Sequence, residues 1–542
     1  MRISNRKVLV NQIGYPTKGN KLVILRGSSS AFHIRDTATS EVVYSAQTHD
    51  RVEDLCSGDH VYQGDFSAFE VPGQYRIEDS EGNVSSPFII SEQPYAEVHG
   101  GLMKAFYYLR CGEDLDEEYA GVWSHKACHT SQGSVHTNSS QRLDGNGGWH
   151  DAGDYGKYVV AGAKALVDLM LSWELYPNAF VHSIPLPETD GIMPDVLHEC
   201  RVELEFLLKM QDAATGGSYH KLTTKQFPGL DVMPEEDEAE LVFAPISATA
   251  TAASCAVMAV AARIYNTYDA EFADKCLTSA KYSWTWLEKH PNEPGFRNPP
   301  DIFTGEYGDA CDLDERYWAA TELYFSTGDS VYHDAVKRYV QKDFPKCELG
   351  WADMGGYGTI RYLLADKQEK DAALYAELKS HLLNEADRLL QIAKQDGYGI
   401  SLKEEDYIWG SNMVVMNRAM LLLLAHKLCG NVEYEQAALG HVHYILGLNV
   451  LDLSYVTGFG EYSVMHPHHR PSVGDGVEAP VPGMLAGGPN KYLNDECMRT
   501  HLQGKPAAAC YIDDKESYAG NEITIYWNSP AVFVFSHWNE FA

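Results

Sequence analysis

The sequence predicts a small β-sandwich followed by an all-α domain, and three observations carry that reading. Short β-rich runs separated by Gly, Ser, Asp and Pro clusters fill residues 1–92. From Tyr95 onward, helix-period segments follow one another with almost no strand signal. The connections between those segments are long and rich in Gly, Pro, aromatics and acids, which is the composition of functional loops rather than of simple turns.

Within the first segment, strands are expected at 21–25, 31–34, 42–44, 61–62, 74–77 and 88–90. No cluster of acids, histidines or cysteines falls in it, so its expected role is packing. Ser91-Glu92-Gln93-Pro94 reads as a boundary, giving domains at 1–92 and 93–542. Beyond it, helix starts are expected at Tyr95, Asp154, Pro194, Ser247, Glu271, Leu313, Ser330, Met354, Ala372, Gly410, Tyr434 and Pro530. So many amphipathic helices must close on themselves to bury their apolar stripes, and a ring of paired helices is one solution. The long loops 123–151, 219–245, 291–312 and 452–528 would then line a groove on one face.

Composition narrows the function classes. The chain has 542 residues, 44% hydrophobic and 22% charged, and a formal charge of -33 from 43 basic and 76 acidic side chains. Such a balance excludes nucleic acid and anionic membranes as expected partners, because both need a positive footprint. It would suit a cationic ligand, although a diffuse acidic surface serves solubility more often. The apolar run 8–10 is too short for a signal core, so a cytoplasmic location is expected. The Ala-rich run 246–262 reads as a buried helix rather than a membrane span. Eleven scattered cysteines suit a reducing compartment, with some thiols on metal. The oligomeric state leaves no mark in the sequence.

Three stretches carry chemistry. In Gly147-Gly148-Trp149-His150-Asp151-Ala152-Gly153-Asp154-Tyr155-Gly156-Lys157-Tyr158, two carboxylates stand three residues apart before a strongly apolar helical pattern. One acid is enough to cap a helix, whereas two at this spacing can share a site and deprotonate a water. In His466-Pro467-His468-His469-Arg470, the arginine disfavours a cation and favours hydroxyl-rich or anionic ligands, so ligand recognition outranks metal. In the third stretch, 511–529, Glu522 lies among apolar and aromatic residues, where desolvation would raise its pKa and keep it protonated as a general acid.

Together these stretches resemble glycoside hydrolase family 9, the inverting β-1,4-glycanases, in the subgroup with an N-terminal immunoglobulin-like domain. The 148–158 stretch matches the family's nucleophilic-water motif. The 511–529 stretch matches its acidic signature, with Glu522 in the place of the acid and Asp513 as the other carboxylate. His468-His469-Arg470 matches its histidine motif. Further matches run through 219–225, Pro234-Glu235, 409–412 and 487–490, whereas Tyr462 departs from the family's usual Asn, Lys or Arg.

The resemblance implies an immunoglobulin-like sandwich followed by an (α/α)6 barrel. It implies Asp154 as the base, Asp151 orienting the same water, and Glu522 as the acid. His468 and Arg470 would hold sugar hydroxyls, with Tyr518 lining the same pocket. The bond-breaking step needs no cofactor. A structural zinc is implied on Cys111, Cys128, His129 and His150, two thiolates and two imidazoles, with His150 directly before the first catalytic Asp. Calcium also occurs in the family, at no position the sequence marks. The substrate expected first is a short glucosamine oligosaccharide of the chitosan type, cleaved from the chain end, because a cytoplasmic enzyme meets small imported sugars. A cellodextrinase or endoglucanase on β-1,4-glucans is the alternative, and a catalytically silent carbohydrate-binding protein is the alternative of another class.

Overall fold

A computed structural model describes residues 6–27, 31–49, 51–181, 184–366 and 368–540. The first ninety-odd positions form two sheets. One has four strands in the order Val8–Leu9, Leu22–Arg26, His60–Asp65, Arg51–Glu53, all antiparallel. The other has five, in the order Gly14–Pro16, Phe88–Ser91, Gly73–Asp79, Ala31–Asp36, Val42–Gln47, with only the first pair parallel.

Alternation sets the core between the sheets. In Gly73–Asp79 the inward residues are Tyr75, Ile77 and Asp79, and Tyr75 and Ile77 join Val23, Leu25, Phe32, Ile34, Phe66 and Phe88 in one cluster. Three short strands, Val8–Leu9, Gly14–Pro16 and Arg51–Glu53, escape the sequence pattern because two or three residues carry no period.

Helices dominate from Ala96 on, and twelve among the described residues are ten residues or longer. Two kinds alternate. Val159–Leu175 and Ala248–Tyr265 are buried almost all round, whereas Ala270–Lys289 and Ser330–Val340 show one apolar face and one charged face. Sequence neighbours pack as hairpins: Ala248–Tyr265 on Ala270–Lys289, Leu313–Thr327 on Ser330–Val340, and Ser411–Cys429 on Val432–Ile445. Ala248–Tyr265 is long and apolar enough for a membrane span by composition, but it is 94% buried inside the protein as a core helix.

Contacts divide the chain into two compact units. One comprises Met1–Ala105 with Ala386–Ala542, and the other Phe106–Glu385. In the first unit the β domain is tied to the helix Val432–Ile445 and the loop after it: Asn11 Nδ2 lies 3.0 Å from His443 Nδ1, Gln12 donates to the Asp452 carbonyl, and Tyr15 packs on the His443 ring at 4.7 Å.

The second unit holds an element the sequence hid. Its short strands Gly133–Val135, Asn138–Leu143, Lys157–Tyr158, Lys221–Thr223 and Val242–Phe243 form a five-stranded sheet. The helix expected from Asp154 therefore starts at Val159, after the chain has paired Lys157 with Leu222 and Tyr158 with Lys221. The last helix also differs. It begins at Ile525, where the Thr524 side chain accepts from Trp527 N, so Pro530 lies inside it rather than at its start.

Candidate active site

In the second unit, the turn carrying Asp151 and Asp154 is built from both ends. The Asp151 amide donates to the Gly156 carbonyl at 2.9 Å, and the Gly156 amide donates back to Asp154 Oδ2 at 2.9 Å. Tyr158 OH reaches the same Oδ2 at 3.3 Å. Asp154 thus closes a tight turn rather than capping a helix. Upstream, the Trp149 amide donates to Glu203 and its indole N–H to Glu199, both 2.8 Å. A Cβ at Gly148 would stand 2.7 Å from Glu203 Oε2 and from the Phe206 ring, so only glycine lets the chain pass.

Asp151 is 1% exposed. Its Oδ2 accepts from Tyr307 OH at 2.5 Å, while Oδ1 is buried without a hydrogen-bond partner. Burial first, and the charge of Asp154 second, push its carboxyl well above the usual range, while the Tyr307 hydrogen bond pulls the other way. Tyr307 carries φ +46°, uncommon for a bulky residue, and its ring lies between Tyr158 at 4.6 Å and Trp351 at 4.8 Å. Lys221 holds the loop leading to it, donating to the Gly305 carbonyl at 2.5 Å and to Thr304 Oγ1 at 3.1 Å. Burial lowers this lysine to about 8.

Directly before Asp151, Cys111, Cys128, His129 and His150 come together. All four are buried, and one ligand atom from each lies within 4.8 Å of the others. Strand-like pairing does this: Cys111 N donates to the Gly148 carbonyl and His150 N to the Leu109 carbonyl. Burial pushes His150 down to about 4. For His129, burial acts in the same sense but is outweighed by the Asp237 carboxylate and the neighbouring Cys111 sulfur, which raise it to about 9. The Cys128 thiol hydrogen bond lowers Cys111 well below the ordinary thiol range, and the same contact raises Cys128.

In the first unit, Glu522 is half-buried and its backbone is pinned on two sides. It forms a parallel bridge with His468, and its carbonyl accepts from Gly487 N at 2.9 Å. His468 Nδ1 lies 2.6 Å from the Lys515 carbonyl, an acceptor only, so Nδ1 carries the proton and Nε2 is the acceptor nitrogen. Burial lowers this ring from its ordinary value. Arg470 is buried and opens a short helix, Arg470–Gly474. Tyr518 is 38% exposed and packs against Trp409 at 5.4 Å and His468 at 6.0 Å.

Asp513, the other acid of the signature, spends both oxygens on backbone amides, Oδ2 on Met465 and Oδ1 on His466. It is a clamp for the histidine segment. Tyr462 faces the β domain, its hydroxyl accepting from Arg6 at 2.8 Å and its ring lying under that guanidinium at 4.5 Å.

Each unit thus assembles its own expected residues: Asp151 and Asp154 with the Cys/His cluster in one, Glu522 with His468 and Tyr518 in the other. Tyr307, Tyr158, Lys221 and Asp237 are not among the expected site residues, although Tyr158 lies in the 147–158 stretch and the long loops 219–245 and 291–312 hold Lys221, Asp237 and Tyr307.

Residues 95–535 match Glycosyl hydrolase family 9, and residues 4–83 match the Cellulase N-terminal ig-like domain. The chain is 39% identical over 551 residues to a cellodextrinase of Butyrivibrio fibrisolvens, covering 98% of this chain and 99% of that one. It is 41% identical, with a TM-score of 0.93, to a single mutant of a thermostable endoglucanase from Alicyclobacillus acidocaldarius, covering 98% and 99% of the two chains. A zinc-binding triple mutant of another family 9 endoglucanase is 32% identical with a TM-score of 0.91, covering 97% and 99%.

Proposed function

The chain belongs to glycosyl hydrolase family 9, and from that premise we propose that it cleaves β-1,4-linked glucans, cellodextrins first, with inversion at the anomeric carbon. Similarity over nearly full length to a cellodextrinase and an endoglucanase supports the glucan reading over the glucosaminidase expected first from the sequence. The observation that carries the chemistry is the built turn around Asp151 and Asp154. A carboxylate pair kept this deep, braced by two tyrosines and by Gly156, costs too much to keep for packing alone.

Asp154 acts as the base. Asp151 shares and orients the same water, its free Oδ1 taking one of the water's protons in hydrogen bond while Tyr307 fixes the other oxygen. Glu522 protonates the leaving glycosidic oxygen. Inversion requires acid and base about 6.5–9.5 Å apart, leaving room for the water. His468 Nε2 accepts from a sugar hydroxyl, Arg470 donates to one, and the exposed faces of Tyr518 and Trp409 stack on pyranose rings.

The Cys111, Cys128, His129 and His150 donors suit zinc: two soft thiols and two imidazoles, sealed from solvent, with His129 Nδ1 buried and lacking any hydrogen-bond partner. Zinc held there would supply a rigid joint and no chemistry. These residues would tie the segment carrying Asp151 to the end of the helix Ala96–Tyr108, preorganising the base.

Hydrolysis of glucose and glucosamine oligomers side by side, with products resolved by size and anomer, tests the reading. α-Anomers from cellodextrins are expected. Release of glucosamine with no action on cellodextrins would restore the first expectation, and β-anomers would overturn inversion. Asp154→Asn and Glu522→Gln are each expected to lower kcat by about a thousandfold or more, with sugar binding retained.

A further inference from the structure

Behind the cysteine–histidine cluster stands a carboxylate that neither the motifs nor the catalytic roles use. Asp237 follows the turn Pro234–Glu236, and its Oδ2 lies 3.4 Å from His129 Nε2, with the two side chains 5% and 2% exposed. A carboxylate can only accept, so Nε2 carries a ring proton, and in the neutral ring that a metal requires the lone pair is on Nδ1, the atom that lies buried without a partner beside the thiols. His129 also holds φ +51°, a strained backbone for a ring residue, which turns it toward the cluster.

The same loop makes two more ties to this region. Glu235 Oε2 lies 4.0 Å from His125 Nδ1, and the Val232 carbonyl accepts from Tyr155 OH at 2.6 Å. Tyr155, the residue after Asp154, packs its ring on both histidines, at 5.4 Å from His129 and 4.9 Å from His150. From Asp237 to His129, from His129 to Tyr155 and from Tyr155 back to Val232, the contacts form a closed circuit.

We propose that Asp237 is a positioning residue that holds His129 in its Nδ1-ligating tautomer, and that through it the loop 232–240 belongs to the metal-ordered structure around Asp154. This rests on the zinc reading above. A histidine ligand whose second nitrogen donates to a carboxylate is better oriented and more basic, and losing that partner typically costs about 10–100-fold in metal affinity.

The test compares the wild type with Asp237→Ala, Asp237→Asn and, as an exposed neighbour, Glu238→Ala. Zinc affinity is measured by competition with a chromophoric chelator, and ligand geometry by the visible spectrum of the cobalt(II)-substituted protein. Hydrogen exchange over 232–240 is followed with and without metal. Expected are a roughly 10–100-fold weaker zinc complex and an altered cobalt spectrum in Asp237→Ala, a smaller loss in Asp237→Asn, wild-type behaviour in Glu238→Ala, and faster exchange of the loop when the wild type is stripped. Asp237→Asn keeps the side-chain volume and reads the effect even if the alanine variant folds poorly. Wild-type affinity and spectrum in both Asp237 variants would overturn the inference while leaving zinc in place. A wild type that binds no zinc would overturn the zinc reading, and this inference with it.

Discussion

Tyr307 shows what a single residue contributes to the site. Its hydroxyl donates 2.5 Å to a buried carboxylate across 156 positions of sequence, and a hydrogen bond to such a group is worth about 1.5–3 kcal/mol. Tyr307→Phe keeps the ring packing on Tyr158 and Trp351 and removes only that donor. A fall in kcat of about 10–100-fold with KM little changed is expected on cellodextrins, and an unchanged kcat would show that Asp151 is oriented by other contacts. Asp151 and Asp154 stand out in the sequence because acids among glycines are conspicuous. Tyr307 does not, since one tyrosine among 33 acquires its role only from the fold.

At the scale of elements, the 147–158 stretch is the instructive case. Its acids suggested a helix start, but side-chain and backbone bonds through Gly156 and strand pairing with Lys221–Thr223 delay the helix to Val159. Tertiary pairing overrides the capping signal because both ends of the turn are already anchored, at Trp149 by Glu203 and Glu199 and at Tyr158 by Lys221. The Cys/His cluster lies at the front of the same element. Stripping the protein with a strong chelator is therefore expected to lower Tm by several degrees and to depress activity, with zinc alone restoring the turn's order. A sample whose melting curve ignores the chelator would count against the zinc assignment.

For the whole molecule, the β domain and the helices of its compact unit share buried polar groups. Asp54, after strand Arg51–Glu53, lies beside Asp396 at the end of the helix Ala372–Gln395, and burial followed by the Asp54 charge raises Asp396 to about 8. An acid raised on folding keeps its proton while the unfolded chain has lost it. Its contribution to stability is therefore complete below about pH 4 and declines as pH rises toward 8, by at most about 1.4 kcal/mol per pH unit. Asp396→Asn removes that slope. Urea melts between pH 5 and 8 are expected to show the variant gaining on the wild type as pH rises, and parallel curves would refute it. A chain starting at residue 93 would uncover His443 and Asp396, both now buried, so it is expected to express poorly or to melt well below the full protein.

By itself, the sequence determined the β-then-α order and the helical repeat, and it marked the carboxylate pair and the Cys/His grouping as candidates, because periodicity and rare residue groupings are local properties. Ser247, Leu313 and Ser330 mark their helix starts to within a residue, since capping is a matter of one turn. Tertiary structure alone decided what those groups touch. The five-stranded sheet of very short strands, the Tyr307 brace on Asp151, the Asp513 clamp on Met465 and His466, and Asp237 behind His129 all join segments far apart in the chain. Contacts of that kind leave no spacing to read, because chain separation places no limit on which side chains meet once the helices have packed.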